Sequence, residues 1–169
     1  MKALIVFDSK HGTTAEAACR IAEAVSSNGC PAELLDLRRK GSGSMPLADY
    51  DAVALGGPFY MGAWSKRARA FASARGAELA LKAFGLFAVG SNAELGDKAA
   101  AAALPAVLAA SISASAYLGG RLDIDKVSAF ERFIIKKVTG KAESSSTLDF
   151  SPIEGFGKKL AKAAGRAAR

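Results

Sequence analysis

The stretch Ser9-Lys10-His11-Gly12-Thr13-Thr14 has the residue types and spacing to hold a phosphate. It stands between a continuous apolar run, Lys2 to Phe7, and a segment from Ala15 to Ser27 whose Ala18, Ile21, Ala22 and Val25 recur at helical spacing. That places it at a helix N-terminus, where free backbone N–H groups point outward and the helix dipole favours negative charge. Ser9, Thr13 and Thr14 add hydroxyl donors, and Gly12 lets the backbone turn around phosphate oxygens. Such a site needs no lysine, which suits a phosphate monoester better than a nucleoside triphosphate. Neither a GxGxxG fingerprint nor a Walker sequence occurs, so dinucleotide and ATP readings lose their main support. An ordinary Ser/Thr-capped turn has the same composition, and it is the position after the first strand that favours phosphate. His11 is the sole histidine. At that position it is expected as a solvent-exposed or phosphate-contacting side chain rather than a catalytic base.

The elements that must position this loop alternate along the chain. Lys2–Phe7 reads as a strand buried on both faces, and Asn28-Gly29 stops the helix that follows the loop. Ala32–Leu37 is a second strand, followed by the basic Gly/Ser loop Arg38 to Ser44; Asp51–Gly56 is a third, ended by Gly57-Pro58. A helix is expected over Ser65–Leu81, a fourth strand over Ala83–Val89, a helix capped by Asp97 and running to about Ala110, and a fifth strand over Ser111–Leu118. Asp123–Gly140 reads as an extra helical segment, Lys141–Asp149 as a polar linker, and Ser151 or Pro152 opens a final helix rich in Lys and Arg. Five strands separated by helices make a doubly wound α/β sheet in a single domain over residues 1–169.

The S-x-x-G-x-T pattern, Ser9 to Thr14, resembles the phosphate loop of flavodoxins. The resemblance spans essentially the whole chain and implies FMN as cofactor and a five-stranded parallel sheet of order 2-1-3-4-5 with helices on both faces. It places the other two FMN loops after the third and fourth strands, at Gly56-Gly-Pro-Phe-Tyr-Met-Gly62 and Gly90-Ser-Asn-Ala-Glu-Leu-Gly96. The cofactor contacts it implies are Ser9, Lys10, His11, Gly12, Thr13 and Thr14; Pro58, Phe59, Tyr60, Met61 and Gly62; and Ser91, Asn92, Ala93 and Gly96. A flat tricyclic ring wants aromatic or apolar faces, which Phe59, Tyr60 and Trp64 can supply on one side, with core packing or helix capping the other reading of these aromatics and the favoured one for Trp64, whereas Ser91–Leu95 holds no aromatic for the other side. No catalytic side chain and no metal ligand are expected.

Phe59-Tyr-Met-Gly62, Tyr117-Leu-Gly-Gly-Arg-Leu122, Phe130 to Val138 and Gly140 further resemble the menaquinone-dependent protoporphyrinogen dehydrogenase branch of the superfamily. That branch carries an additional helical segment after the fifth strand, and the resemblance implies oxidation of a carboxylated porphyrinogen with a quinone as acceptor. Here Phe130 and Phe133 share a helical face beside Lys136 and Lys137, a pattern suited to peripheral contact with an anionic bilayer or to packing on the domain with solvated lysines. Arg121, Lys136 and Lys137 are the expected contacts for an anionic substrate.

Composition bounds the rest. The chain has 169 residues, 50% of them hydrophobic, and a formal charge of +7, which favours anionic partners. No interleaving of aromatic and basic residues supports nucleic acid. Cys19 and Cys30 show no CxxC spacing, consistent with a reduced cytoplasmic protein. Ala99–Gly120 carries no charge, but its Ala and Ser content and Pro105 read as a buried helix and inner strand rather than a membrane span. Three functions are thus open: an FMN-dependent oxidoreductase of the dehydrogenase type, a flavodoxin-like electron carrier serving a partner protein, and a binding domain that keeps the fold without the flavin. Electron carriers of this family are usually acidic, so the basic charge favours the first.

Overall fold

Two runs free of polar side chains form the middle of the sheet. β1 (Ala3–Phe7) and β5 (Ala83–Val89) are buried at every residue, the pattern of parallel strands covered on both faces. The computed structural model describes residues 1–60, 62–90, 96–122, 137 and 144–167. Between those strands lie α1 (Thr13–Ser27), β2 (Ala32–Asp36), β3 (Ala52–Tyr60), β4 (Ala63–Trp64) and α2 (Lys66–Ala80). After β5 come α3 (Gly96–Ala102), α4 (Ala106–Ala110), β6 (Ile112–Tyr117), β7 (Arg121–Leu122), β8 (Ser145–Ser146) and α5 (Pro152–Ala167).

The main sheet runs β2-β1-β3-β5-β6, all parallel, with β4 added antiparallel to the end of β3. With the five long strands counted in chain order, this is the 2-1-3-4-5 arrangement. Successive residues of β1 feed opposite cores. Ile5 and Phe7 join Ile21, Val25, Phe87, Phe156 and Leu160 under α1 and α5. Leu4 and Val6 join Leu55, Phe71, Leu79, Phe84 and Leu86 on the side of α2, α3 and α4. The sheet is thus wound on both faces, and loops at the carboxyl ends of its strands converge on one edge.

Several expected boundaries move. Gly57-Pro58 does not end β3, which continues to Tyr60 and returns through β4, with Phe59 opposite Trp64 and Tyr60 opposite Ala63. The helix expected from Asp97 to Ala110 opens at Gly96 and breaks into α3 and α4 around Pro105, whose ring cannot supply the N–H an unbroken helix needs. The expected polar linker contains β8, which pairs antiparallel with β7. The extra helical segment over Asp123–Gly140, with Phe130, Phe133 and Lys136, lies outside the described residues apart from Lys137, which is helical and exposed. Among the described residues no helix is long and apolar enough to cross a membrane.

Candidate functional site

The first loop of the site grows from the end of β1. Asp8 continues the strand by donating its N–H to the Gly56 carbonyl (3.1 Å), and the chain then turns through Ser9, Lys10 and His11. The Gly12 N–H donates to Ser9 Oγ (3.2 Å), and the Gly12 carbonyl accepts from the Glu16 N–H (2.9 Å), the first bond of α1. Gly12 is itself the N-cap, with φ 94°, and a glycine has no side chain with which to cap. The first amides of α1 are therefore left for an outside acceptor. A Cβ built on Gly12 would meet nothing within 4 Å, so the space in front of the loop is open. Thr14 is buried, whereas Ser9, His11 and Thr13 are half-buried and Lys10 is exposed. Neutral hydroxyls, uncapped amides and one lysine form a donor set that fits a phosphate monoester dianion.

The second loop is the β3–β4 hairpin. Its turn holds Gly62 at φ 78°. Tyr60 is 44% exposed and Phe59 half-buried, and Pro58 is half-buried on the last turn of the strand toward them. Trp64, for which core packing is the favoured reading, is 2% exposed, and its Nε1 donates to the Gly57 carbonyl (3.1 Å). It belongs to the core beneath the hairpin, and Tyr60 is left as the exposed aromatic there. Met61 lies outside the described residues.

The third loop leaves β5 at Gly90. The Gly90 N–H donates to the Gly119 carbonyl (2.8 Å), and the Gly90 carbonyl accepts from the Tyr117 hydroxyl. Burial pushes the Tyr117 phenol up from its usual pKa, which keeps it a donor. A Cβ on Gly90 would stand 2.9 Å from Phe59 Cβ and 3.1 Å from the Tyr117 oxygen, so only glycine permits this close approach of the second and third loops. Ser91, Asn92 and Ala93 lie outside the described residues, and Gly96 opens α3. The structure therefore brings Ser9 to Thr14, Pro58 to Tyr60, Gly62 and Gly90 to the carboxyl edge of the sheet.

Four residues that spacing did not single out complete this edge. Asp8 is 7% exposed. It accepts from Ser65 Oγ (2.7 Å) and from the Arg38 guanidinium (3.2 Å). Ser65 in turn caps α2 by accepting from the Ala68 N–H (3.2 Å). One carboxylate thus ties the start of the Ser9–Thr14 loop to the loop after β2 and to the start of α2. Tyr117 is the fourth. The signal available in sequence was a charged residue directly after a buried strand, which costs too much to leave unpaired. Arg121, the expected contact for an anionic substrate, is exposed and pairs with Glu16 (3.4 Å), which also pairs with Arg20 (3.3 Å). Among the described residues no cluster of side chains could hold a metal ion.

The fold and this edge define a flavodoxin-type domain, and the comparisons agree. Residues 4–149 match the family model for the flavodoxin domain. The chain belongs to that family, whose members bind FMN. In solved structures it resembles rubredoxin:oxygen oxidoreductase from Desulfovibrio gigas, at 16% identity and TM-score 0.68, over 99% of this chain and 37% of that one. It also resembles two-electron reduced flavodoxin from Megasphaera elsdenii, at 20% identity and TM-score 0.62, over 95% of this chain and 99% of the flavodoxin. A WrbA-like flavodoxin from Agrobacterium tumefaciens is similar at 19% identity and TM-score 0.54, over 99% of this chain and 97% of that one. The chain spans little more than a third of the first of these, and the same holds for the flavodiiron protein of Giardia intestinalis, of which it covers 38%. No match to the sequence was found among curated proteins.

Proposed function

We propose that this chain holds FMN at the carboxyl edge of its sheet and acts as an FMN-dependent oxidoreductase of the protoporphyrinogen dehydrogenase type, passing electrons from a reduced substrate to a quinone-type acceptor. The observation that carries the cofactor assignment is the uncapped start of α1 behind Gly12, which offers amides and hydroxyls to a phosphate monoester. Ser9, Lys10, His11, Thr13 and Thr14 belong to the phosphate end. Pro58, Phe59, Tyr60, Met61 and Gly62, with Ser91, Asn92, Ala93 and Gly96, belong to the ring end, where Tyr60 presents an exposed aromatic face. When bound, FMN supplies the capacity to accept and release one or two electrons. The protein's part is to anchor the phosphate, to shield the ring between the second and third loops, and to fix their spacing through Phe59, Gly90 and Tyr117. The basic chain suits a substrate with carboxylates, and the sequence resemblance is what selects the dehydrogenase.

The test starts with FMN titration of the apoprotein, read by visible absorbance and quenching of FMN fluorescence. Loaded protein is then assayed with protoporphyrinogen and a quinone. Tight, stoichiometric FMN uptake with porphyrin formation is expected. A protein that takes up FMN yet leaves protoporphyrinogen unoxidised loses the substrate assignment, and one that takes up none loses the cofactor.

A second reading, an electron carrier serving a redox partner, is favoured by the near-complete mutual coverage with the Megasphaera elsdenii flavodoxin. Reductive titration separates the two. Two well-separated one-electron potentials support the carrier, and a single two-electron step supports the dehydrogenase.

A further inference from the structure

The loop after β2 and the start of α2 are held together more firmly than a surface loop requires. Arg38 and Ser65 bind the two oxygens of the same Asp8 carboxylate, at 3.2 and 2.7 Å. Further along, Arg75 of α2 donates to the carbonyls of Gly43 (3.0 Å) and Met45 (3.1 Å) while also binding Glu78 (2.6 Å). The segment from Arg38 to Met45 is thereby pinned along α2 at both ends. Arg67, Phe71 and Arg75 follow at i, i+4 and i+8, so Arg67 stands on the same stripe of the helix as the residue that grips the loop.

This clamp assembles a patch of one sign. Arg39 and Lys40 follow Arg38, Lys66 and Arg67 follow Ser65, and all five basic residues are exposed. Among the described residues, Arg38 alone of the five has a carboxylate partner. Asp36, the nearest acid in sequence, spends its Oδ1 on the Arg38 N–H. The patch also flanks the candidate site directly, since Asp8 precedes the phosphate loop and Ser65 follows the β3–β4 hairpin. From this juxtaposition we infer that the face formed by Arg38–Lys40 and Lys66–Arg67 is a docking surface for an acidic protein face, which brings its own redox group to the exposed edge at Tyr60. The redox identity of that partner rests on the flavin reading; the surface itself does not. A protein partner fits better than a lipid surface because the patch offers charge without apolar anchors. Among the described residues, the large exposed apolar side chains, Met1, Leu34, Tyr60, Leu81 and Val107, all lie outside it.

The test uses the whole chain, with and without FMN, and fluorescently labelled poly-L-glutamate as probe. Binding is followed by anisotropy across a salt series, beside sedimentation with phosphatidylglycerol vesicles. Two variants carry the same change in charge: R39E/K40E/K66E/R67E on the patch, and K158E/K159E/K162E/R166E on α5, all at exposed positions. The patch variant is expected to lose at least about tenfold in affinity, with a flatter salt dependence, while the α5 variant stays within about twofold of the native chain. Equal losses in both variants would reduce the effect to net charge and overturn the proposal. So would vesicle binding that tracks the patch while poly-L-glutamate binding does not. FMN absorbance of the same samples keeps the two readings apart: patch-specific binding in a protein that takes up no FMN retains the surface and removes the flavin, and the converse removes only the surface.

Discussion

At the scale of single residues, Gly12 carries the most. Its positive φ strains any β-branched residue there, but the cost is modest, because nothing packs within 4 Å of a Cβ at that position. Gly12→Val is expected to lower folding stability by only about 1–2 kcal/mol yet to weaken FMN binding at least about tenfold, as measured by denaturant unfolding and by FMN fluorescence titration on the same variant. A different tyrosine gives a pH signature far from the site. Burial and a hydrogen bond to Glu33 (2.5 Å) push the Tyr50 phenol up to about 12. The unfolded chain releases that proton near pH 10, so between about pH 10 and 12 the folded state binds more protons and stability falls as pH rises. Below pH 10 this contribution is fully present. Tyr50→Phe is therefore expected to flatten the decline in unfolding midpoint over that window relative to the native chain; an unchanged slope would show that Tyr50 titrates normally.

At the scale of elements, α1 and α5 pack with no room to spare at one point. A Cβ on Gly157 would stand 2.7 Å from Ala24 Cβ and 2.8 Å from its carbonyl carbon, and backbone cannot swing aside as a side-chain tip can. Gly157→Ala is expected to destabilise the protein by about 1–3 kcal/mol despite the higher helix propensity of alanine, which urea denaturation would register as a lower midpoint with an unchanged slope. Elements such as β1 and β5 were legible because an uninterrupted apolar run has one sensible reading when helices flank it. The end of β3 was not. Pro58 reads as a strand breaker, but the Gly56 carbonyl is taken by Asp8 at the last register position of β1. Two residues on, the missing N–H of Pro58 faces the side where β1 has stopped, so it costs no ladder bond. The open turn between β1 and α1 was legible from its residue types together with its place after the first strand. Asp8, Arg38 and Ser65 were not, because the contacts that join them span 30 and 57 positions, and local patterns carry no information at that range.

At the scale of the whole molecule, the family match ends at residue 149, whereas one of the two cores continues into α5 through Ile153, Phe156, Leu160, Ala161 and Ala164. Truncation after Phe150 is expected to abolish cooperative unfolding, with near-ultraviolet circular dichroism lost, since the β1 and β5 side chains under α5 would face water. Retained cooperativity would show that α1 covers that face by itself. The docking of α5 on α1 also bears on how the protein is made. The helix behind the Ser9–Thr14 loop leaves the ribosome long before its packing partner, since Thr13–Ser27 and Pro152–Ala167 lie far apart in the chain. Until Pro152–Ala167 emerges, one side of the sheet is open and Ile21 and Val25 have only part of their cover. The nascent chain must hold that apolar face in solution while the segments between α1 and α5 are made, so its exposure to chaperones and to aggregation is set by the speed of synthesis.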